Sequence, residues 1–232
     1  MMNNASALLI TISAATLMAA GPPPSQPSLP LALGYRYADV RAVFTNDDYP
    51  ADLLRAGKSG TVSTRTTVRP DGSIQGCAVE RSSGIPSLDA YTCAIILKRA
   101  RFMPAKWTDG SPAYGVIRVP VSWVVSYAAP SKENMFRATN PDLELSVNHL
   151  PQGARQSFTA VSLEVAADEN GRPVACVEWS PPKNARGAYF PELVPIACNE
   201  VMAKLKLIPP LDASGKAARS VQSVLVNFEL DH

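Results

Sequence analysis

Four cysteines, Cys77, Cys93, Cys176 and Cys198, are the residues of this 232-residue chain whose chemistry would constrain it most. The stretch "GCAVERSSGIPSLDAYTC" sets the first two sixteen positions apart, and the second two are 22 apart. A zinc site calls for close C-x₂-C pairs with histidine support, and a thioredoxin-like redox pair calls for C-x-x-C. Neither spacing occurs, and the histidines are His149 and His232 alone. Nucleophilic catalysis needs a base beside its Ser, Cys or Thr, yet no G-x-S-x-G, H-E-x-x-H or G-x-x-x-x-G-K-[ST] motif is present. The carboxylate pairs Asp47-Asp48 and Asp168-Glu169 lie in polar, turn-like stretches, where such pairs are usually solvated. The expectation is a chain that is not an enzyme, with no catalytic residue, metal or cofactor, and with cysteines that act as structural staples.

Laying the chain over itself selects the pairing. "DGSIQGC" (71–77) matches "NGRPVAC" (170–176) at an offset of 99. "CAIILKRARFMPAKWTDG" (93–110) matches "CNEVMAKLKLIPPLDASG" (198–215), and "VPVSWVV" (119–125) matches "VLVNFEL" (224–230), both at 105. One six-residue insertion between the cysteines reconciles the offsets, so a unit of roughly 90 residues is duplicated. Of the three pairings four cysteines allow, the repeat selects Cys77 with Cys93 and Cys176 with Cys198. Each bond contributes about 3 kcal/mol in the chain-entropy model and implies an oxidising compartment.

Periodicity places the cysteines on elements. Cys93, Ile96, Leu97 and Ala100 form a helical stripe, repeated by Cys198, Val201, Met202 and Leu205, on helices that begin near Ser87 and Pro191. The first cysteine of each pair follows a hairpin turn, at Asp71-Gly72 and Asn170-Gly171. Ile117, Val119, Val121, Trp123 and Val125 alternate as a third strand, with Val224, Val226, Phe228 and Leu230 as its counterpart. Pro120 has no N–H to give, which puts that strand at an edge or turns its free side outward. Tyr49-Pro50 and Leu150-Pro151 read as starts of short helices. The fold class is α+β, two tandem units, each a three-stranded antiparallel sheet with helices on one face. Cys77 shares a strand face with Val79, whereas Cys176 shares its face with Val174; either a bulge or a used outer face accounts for the mismatch. Arg99 and Arg101 read as a solvated helix end, and Trp107 and Trp123 as cap or core.

Residues 5–21, "ASALLITISAATLMAAG", carry no charge. A helix of that length spans roughly 25 Å, short of the ~30 Å hydrocarbon core, so 1–21 reads as a signal peptide, with a short anchor as the alternative. A Pro-rich tether (22–36) and the two units (37–128 and 129–232) follow. Inner-membrane tethering enters only if the leader is uncleaved. A net charge of +2 without a dense basic run argues against nucleic acid.

The stretch "YPADLLRAGKSGTVSTRTTVRPDGSIQGCAVERSSGIPSLDAYTCAIILKRARFMPA", with "DGSPAYGVIRVPVSWVV", resembles the TonB C-terminal domain family. The resemblance rests on Tyr-Pro before a short helix, Gly before the first strand, Asp-Gly at the hairpin, Ser-Ser-Gly and Leu-Asp before the long helix, and Arg-x-Phe-x-Pro-Ala after it. It covers about residues 45–126. The second unit resembles the family only through the duplication, with "SPPKNARG" in place of Ser-Ser-Gly and Leu205-x-Leu207 in place of Arg-x-Phe. The resemblance implies a periplasmic TonB-like binding protein that takes an extended peptide, such as an outer-membrane receptor's N-terminal segment, by strand addition. The edge it implies is Gly115, Val116, Ile117, Arg118, Val119, Val121, Ser122 and Trp123. The competing expectation is that this edge packs against the other unit. The alternative functions are a membrane-anchored energy transducer for outer-membrane receptors and a non-transport envelope scaffold.

Overall fold

The computed structural model describes residues 43–125, 140–154, 159–179 and 190–231, and the backbone of 32–35. The leader, most of the Pro-rich stretch, "SPPKNARG" and His232 lie outside the described residues. In chain order the elements are β1 (Ala32–Tyr35), a 3₁₀ turn (Asn46–Asp48), α1 (Ala51–Arg55), β2 (Gly60–Val68), β3 (Ile74–Arg81), α2 (Pro86–Arg99), β4 (Phe102–Lys106) and β5 (Pro112–Trp123). Then come β6 (Leu143–Val147), β7 (Thr159–Ala167), β8 (Pro173–Glu178), a 3₁₀ turn (Pro191–Leu193), α3 (Val194–Lys204) and β9 (Ser220–Leu230).

The β2–β3 and β7–β8 hairpins turn in the same way. The Arg69 N–H donates to the Ser73 carbonyl at 2.7 Å and the Gly72 N–H to the Arg69 carbonyl at 2.8 Å, the Asp168 N–H donates to the Arg172 carbonyl at 3.0 Å and the Gly171 N–H to the Asp168 carbonyl at 2.9 Å, and Gly72 and Gly171 take φ of +84° and +76°. Only glycine takes that conformation freely. Both tips are also crowded. A Cβ at Gly72 would lie 2.8 Å from the Phe102 carbonyl oxygen, and one at Gly171 only 1.9 Å from that of Leu207.

Within each half three strands pair antiparallel, β3–β2–β5 and β8–β7–β9. The halves are not separate sheets, however. β5 and β9 pair in parallel, Tyr114 beside Ser220 through Val116 beside Gln222, and the nine described strands form one sheet. Residues directly opposite in a ladder share a face. Ile117, Val119, Val121 and Trp123 line the core under α2, while Val224, Val226 and Phe228 line the core under α3. Those two sets have opposite parity across the register, so α2 and α3 cover opposite faces of the continuous sheet.

The disulfides Cys77–Cys93 and Cys176–Cys198 fasten β3 to α2 and β8 to α3, with Cα separations of 5.6 and 5.7 Å, ordinary for bridged cysteines. The helical stripes differ from the sequence reading by one position each. Leu97 is 48% exposed and Met202 39%; Ile95 with Ile96, and Ala197 with Val201, face inward instead. The mismatch around Cys176 is resolved by use of the outer face. Cys176 turns to α3, and Ala175 and Val177 pack on the other side with Ala105, Ala113, Ala166, Val221 and Trp107.

Three strands had no sequence signal. β1 forms from the end of the expected tether and pairs with β4, and β4 follows α2 in a stretch to which the sequence assigned no element. β6 lies in the segment joining the halves. At Leu150-Pro151 the expected helix is absent among the described residues, and 152–153 form a turn.

Candidate functional site

β5 is fully paired along one side, from Gly60 beside Trp123 to Val68 beside Gly115. β4 holds Pro112 and Ala113 ahead of that ladder, and along the other side of β5, β9 covers Tyr114–Val116. The Arg118 N–H donates to Ser223 Oγ at 2.8 Å on that same side, which fixes the alternation of the backbone. Pro120, Ser122 and Val124 therefore turn their backbone groups toward the side away from β2, and on that side no described strand pairs with them. Pro120 and Ser122 are exposed, and so is the Val124 side chain.

Arg118 apart, the residues expected at the edge fall into three groups. Val116 is taken by β9. Gly115, Ile117, Val119, Val121 and Trp123 turn their backbone groups to β2, and the last four bury their side chains under α2. Ser122 presents its N–H and C=O outward. Val124 and the Pro120 carbonyl lie on the same side by alternation from Ser122.

Arg118 is committed elsewhere. Its side chain is 8% exposed, and it reaches Glu80 at 2.6 Å and Asp142 at 2.9 Å. Arg65 joins the same two carboxylates at 2.6 and 3.0 Å. Burial works to raise the Glu80 carboxyl, but the hydrogen bonds from Arg118 and Arg65 outweigh it and hold the pKa at about 2. The cluster crosses the halves, because Asp142 Oδ2 also accepts from the Leu225 N–H and the Asp142 N–H donates to the Leu225 carbonyl, both at 2.8 Å. Nothing in the sequence brought Asp142 to Arg118.

At the far end of β5 the core is aromatic. Trp123 Nε1 donates to Thr92 Oγ1 at 2.9 Å, and Phe44 and Tyr49 meet the indole edge-on at 5.6 and 5.5 Å. Asp48, expected to be solvated, is buried and paired to Arg99 at 2.6 Å. The Arg99 hydrogen bond holds its carboxyl at about 2, against the effect of burial. Arg99 therefore orders the segment ahead of α1. Trp107 lies under Arg219, with the guanidinium carbon 5.2 Å from a ring centroid, where it joins the halves. His149 is exposed.

Among the described residues no cluster of three His, Cys, Asp or Glu side chains could hold a metal, and no helix is long and apolar enough to cross a membrane. Residues 45–125 match the family described as Gram-negative bacterial TonB protein C-terminal. That span runs from the 3₁₀ turn to the end of β5. No curated protein and no solved structure matches the chain. The first half is thus similar to that family over residues 45–125.

Proposed function

We propose that the protein is an exported, periplasmic binding module that takes an extended segment of a partner, an outer-membrane receptor in the first instance, as an added strand on the free side of β5. The observation that carries this reading is the stretch from Pro120 to Val124, which pairs with β2 as far as Trp123 on one side and lacks a described strand on the other. Outward amides and carbonyls of such an edge are satisfied when a guest pairs with them, and alternate side chains then supply selectivity. The match over residues 45–125 supports the class of partner.

In this reading residues 37–128 form the binding domain, and 129–232 form a degenerate second copy that braces it. The two bridges at matching positions and the equivalent hairpin tips support the copy. No step of the function is catalytic, and no cofactor enters. A role in transmitting force to a receptor requires an anchor, so an intact Met1 in the inner-membrane fraction would move the reading from a soluble binder to a transducer. Unchanged uptake of large nutrients after deletion would move it to an envelope scaffold.

The test places a photoreactive residue at Val124 in whole cells and identifies the captured chain, with and without Ser122→Pro. Proline removes the outward N–H of Ser122 and leaves the β2 ladder in place. Capture of an outer-membrane receptor that Ser122→Pro abolishes is the expected result. Capture indifferent to that substitution overturns strand addition.

A further inference from the structure

Both long helices run out into the same kind of surface. After α2 the chain exposes Leu97, Lys98, Arg101, Met103 and Lys106, and no acid lies between Asp89 and Asp109. The repeat returns this pattern in the second half, setting Met202 on Leu97, Lys206 on Arg101 and Ile208 on Met103. Lys204 and Leu211 are exposed there too, and no acid lies between Glu200 and Asp212. The backbone of this second stretch is pinned from within. The Leu207 N–H donates to the Gly171 carbonyl at 2.8 Å, and the side-chain amides of Gln222 and Gln75 donate to the carbonyls of Ile208 and Leu211, each at 2.9 Å. Ile208 is nonetheless 86% exposed and Leu211 53%. A loop anchored by its backbone with its apolar side chains turned outward marks a contact surface.

The two stretches follow helices on opposite faces of the sheet, yet they lie at one end of it. Val68 pairs with Gly115, Ala167 with Ser220, and Gly115 in parallel with Val221, so both hairpin tips and both helix ends point the same way. A segment bound in a groove would meet one stretch or the other. A flat surface laid across the sheet end meets both. The charges select its chemistry: Lys98, Arg101, Lys106, Lys204, Lys206 and Lys216 are exposed at this end. Lysine is depleted from protein–protein interfaces, whereas basic residues beside protruding apolar side chains suit an anionic lipid surface. The described acids at the same end are Asp71, Asp109, Asp168, Glu169 and Asp212, and all but Glu169 accept backbone N–H bonds within their own turns. Lys204 also pairs with Glu200 at 2.5 Å. We infer that the hairpin-tip end docks on an anionic phospholipid bilayer, with Ile208, Leu211 and Met103 entering the headgroup region and the lysines beside them on lipid phosphates. The docked chain stands on the membrane, and the stretch Pro120–Val124, at the other end of β5, faces away from the lipid. The inference is independent of what that stretch binds.

All four native cysteines are bridged, so an introduced cysteine is the sole free thiol. Full-length Leu211→Cys and Val124→Cys proteins, each labelled with a polarity-sensitive dye, are titrated with vesicles of phosphatidylcholine alone or mixed equally with phosphatidylglycerol. The dye on Leu211→Cys should shift to the blue on the mixed vesicles only, and the dye on Val124→Cys should stay unchanged. In the Leu211→Cys protein, Lys206→Ala should weaken binding about fivefold and Ile208→Asp about tenfold. Lys58→Ala removes the same charge at the opposite end, where Gly60 pairs with Trp123, and should leave binding as it was. The leader is common to every variant and cannot produce these differences. Four results overturn the inference: no shift on the mixed vesicles, equal binding to both vesicles, a shift at Val124→Cys as large as at Leu211→Cys, or a loss from Lys58→Ala equal to that from Lys206→Ala. Cellular capture at Val124 reads the other end of β5, so strand addition and lipid docking stand or fall separately.

Discussion

β5 and β9 begin alike, each covering the first residues of the other, and then they part company. β9 acquires β6 and a complete set of neighbours, whereas β5 continues past Arg118 with one side unpaired by any described strand. The difference arises outside the strands. The segment joining the halves is drawn onto β9 by Asp142, whose backbone pairs with Leu225 and whose carboxylate is held by Arg118 and Arg65. A sheet edge is thus satisfied or left available by where one acidic residue is placed.

The comparison breaks most readily at the hairpin tips. Gly171→Ala should lower stability on the order of 4 kcal/mol, because the added methyl meets the Leu207 carbonyl at 1.9 Å on top of the positive φ. Gly72→Ala, with its contact at 2.8 Å, should cost about 2 kcal/mol. Equal losses in urea denaturation would show that the two tips are not used as described. Replacing both members of either cysteine pair by alanine should cost about 3 kcal/mol, the two pairs differing by only about 0.3 kcal/mol. A much larger loss for one pair would mark that half as the one that carries the fold.

Asp142→Ala should cost about 2 kcal/mol, since Glu80 remains as a partner for both arginines. Its sharper signature lies in amide exchange, which should accelerate in β6 and at Leu225–Leu230 while β2 and β3 stay protected. Acid should weaken the first half more than the second. Glu80 and Asp48 sit at about 2 in the folded protein, below their ordinary 4.5 and 3.8. The stability they contribute is present in full above those ordinary values and is lost as pH falls toward 2. Glu80→Gln should flatten that loss, and an unchanged acid limb in its denaturation profile would show that the cluster is not the cause.

The hairpins, the long helices and the third strands were legible because each has a local signal: a glycine forced to positive φ, or a buried face with a regular period. The bridges were legible through the repeat. β4 and β1 were not, since Met103 and Lys106 face outward and Pro104 interrupts the strand pattern, while β1 emerges from a proline-rich run. β6 is only five residues long, and its pattern gains meaning when β9 lies beside it. Part of the edge was legible through Pro120. The join between β5 and β9 was not, because the strands that meet there are distant in sequence and the register between them is set by packing of Ala113, Val221 and Trp107.

That join also has a mechanical side. Two strands that run the same way, linked by three residue pairs and flanked by an ionic clasp, meet tension along their axis in shear, with every rung loaded at once. Tension across them would open the rungs one after another. A tug transmitted lengthwise through a ligand on β5 would thus be borne by the seam at its strongest orientation.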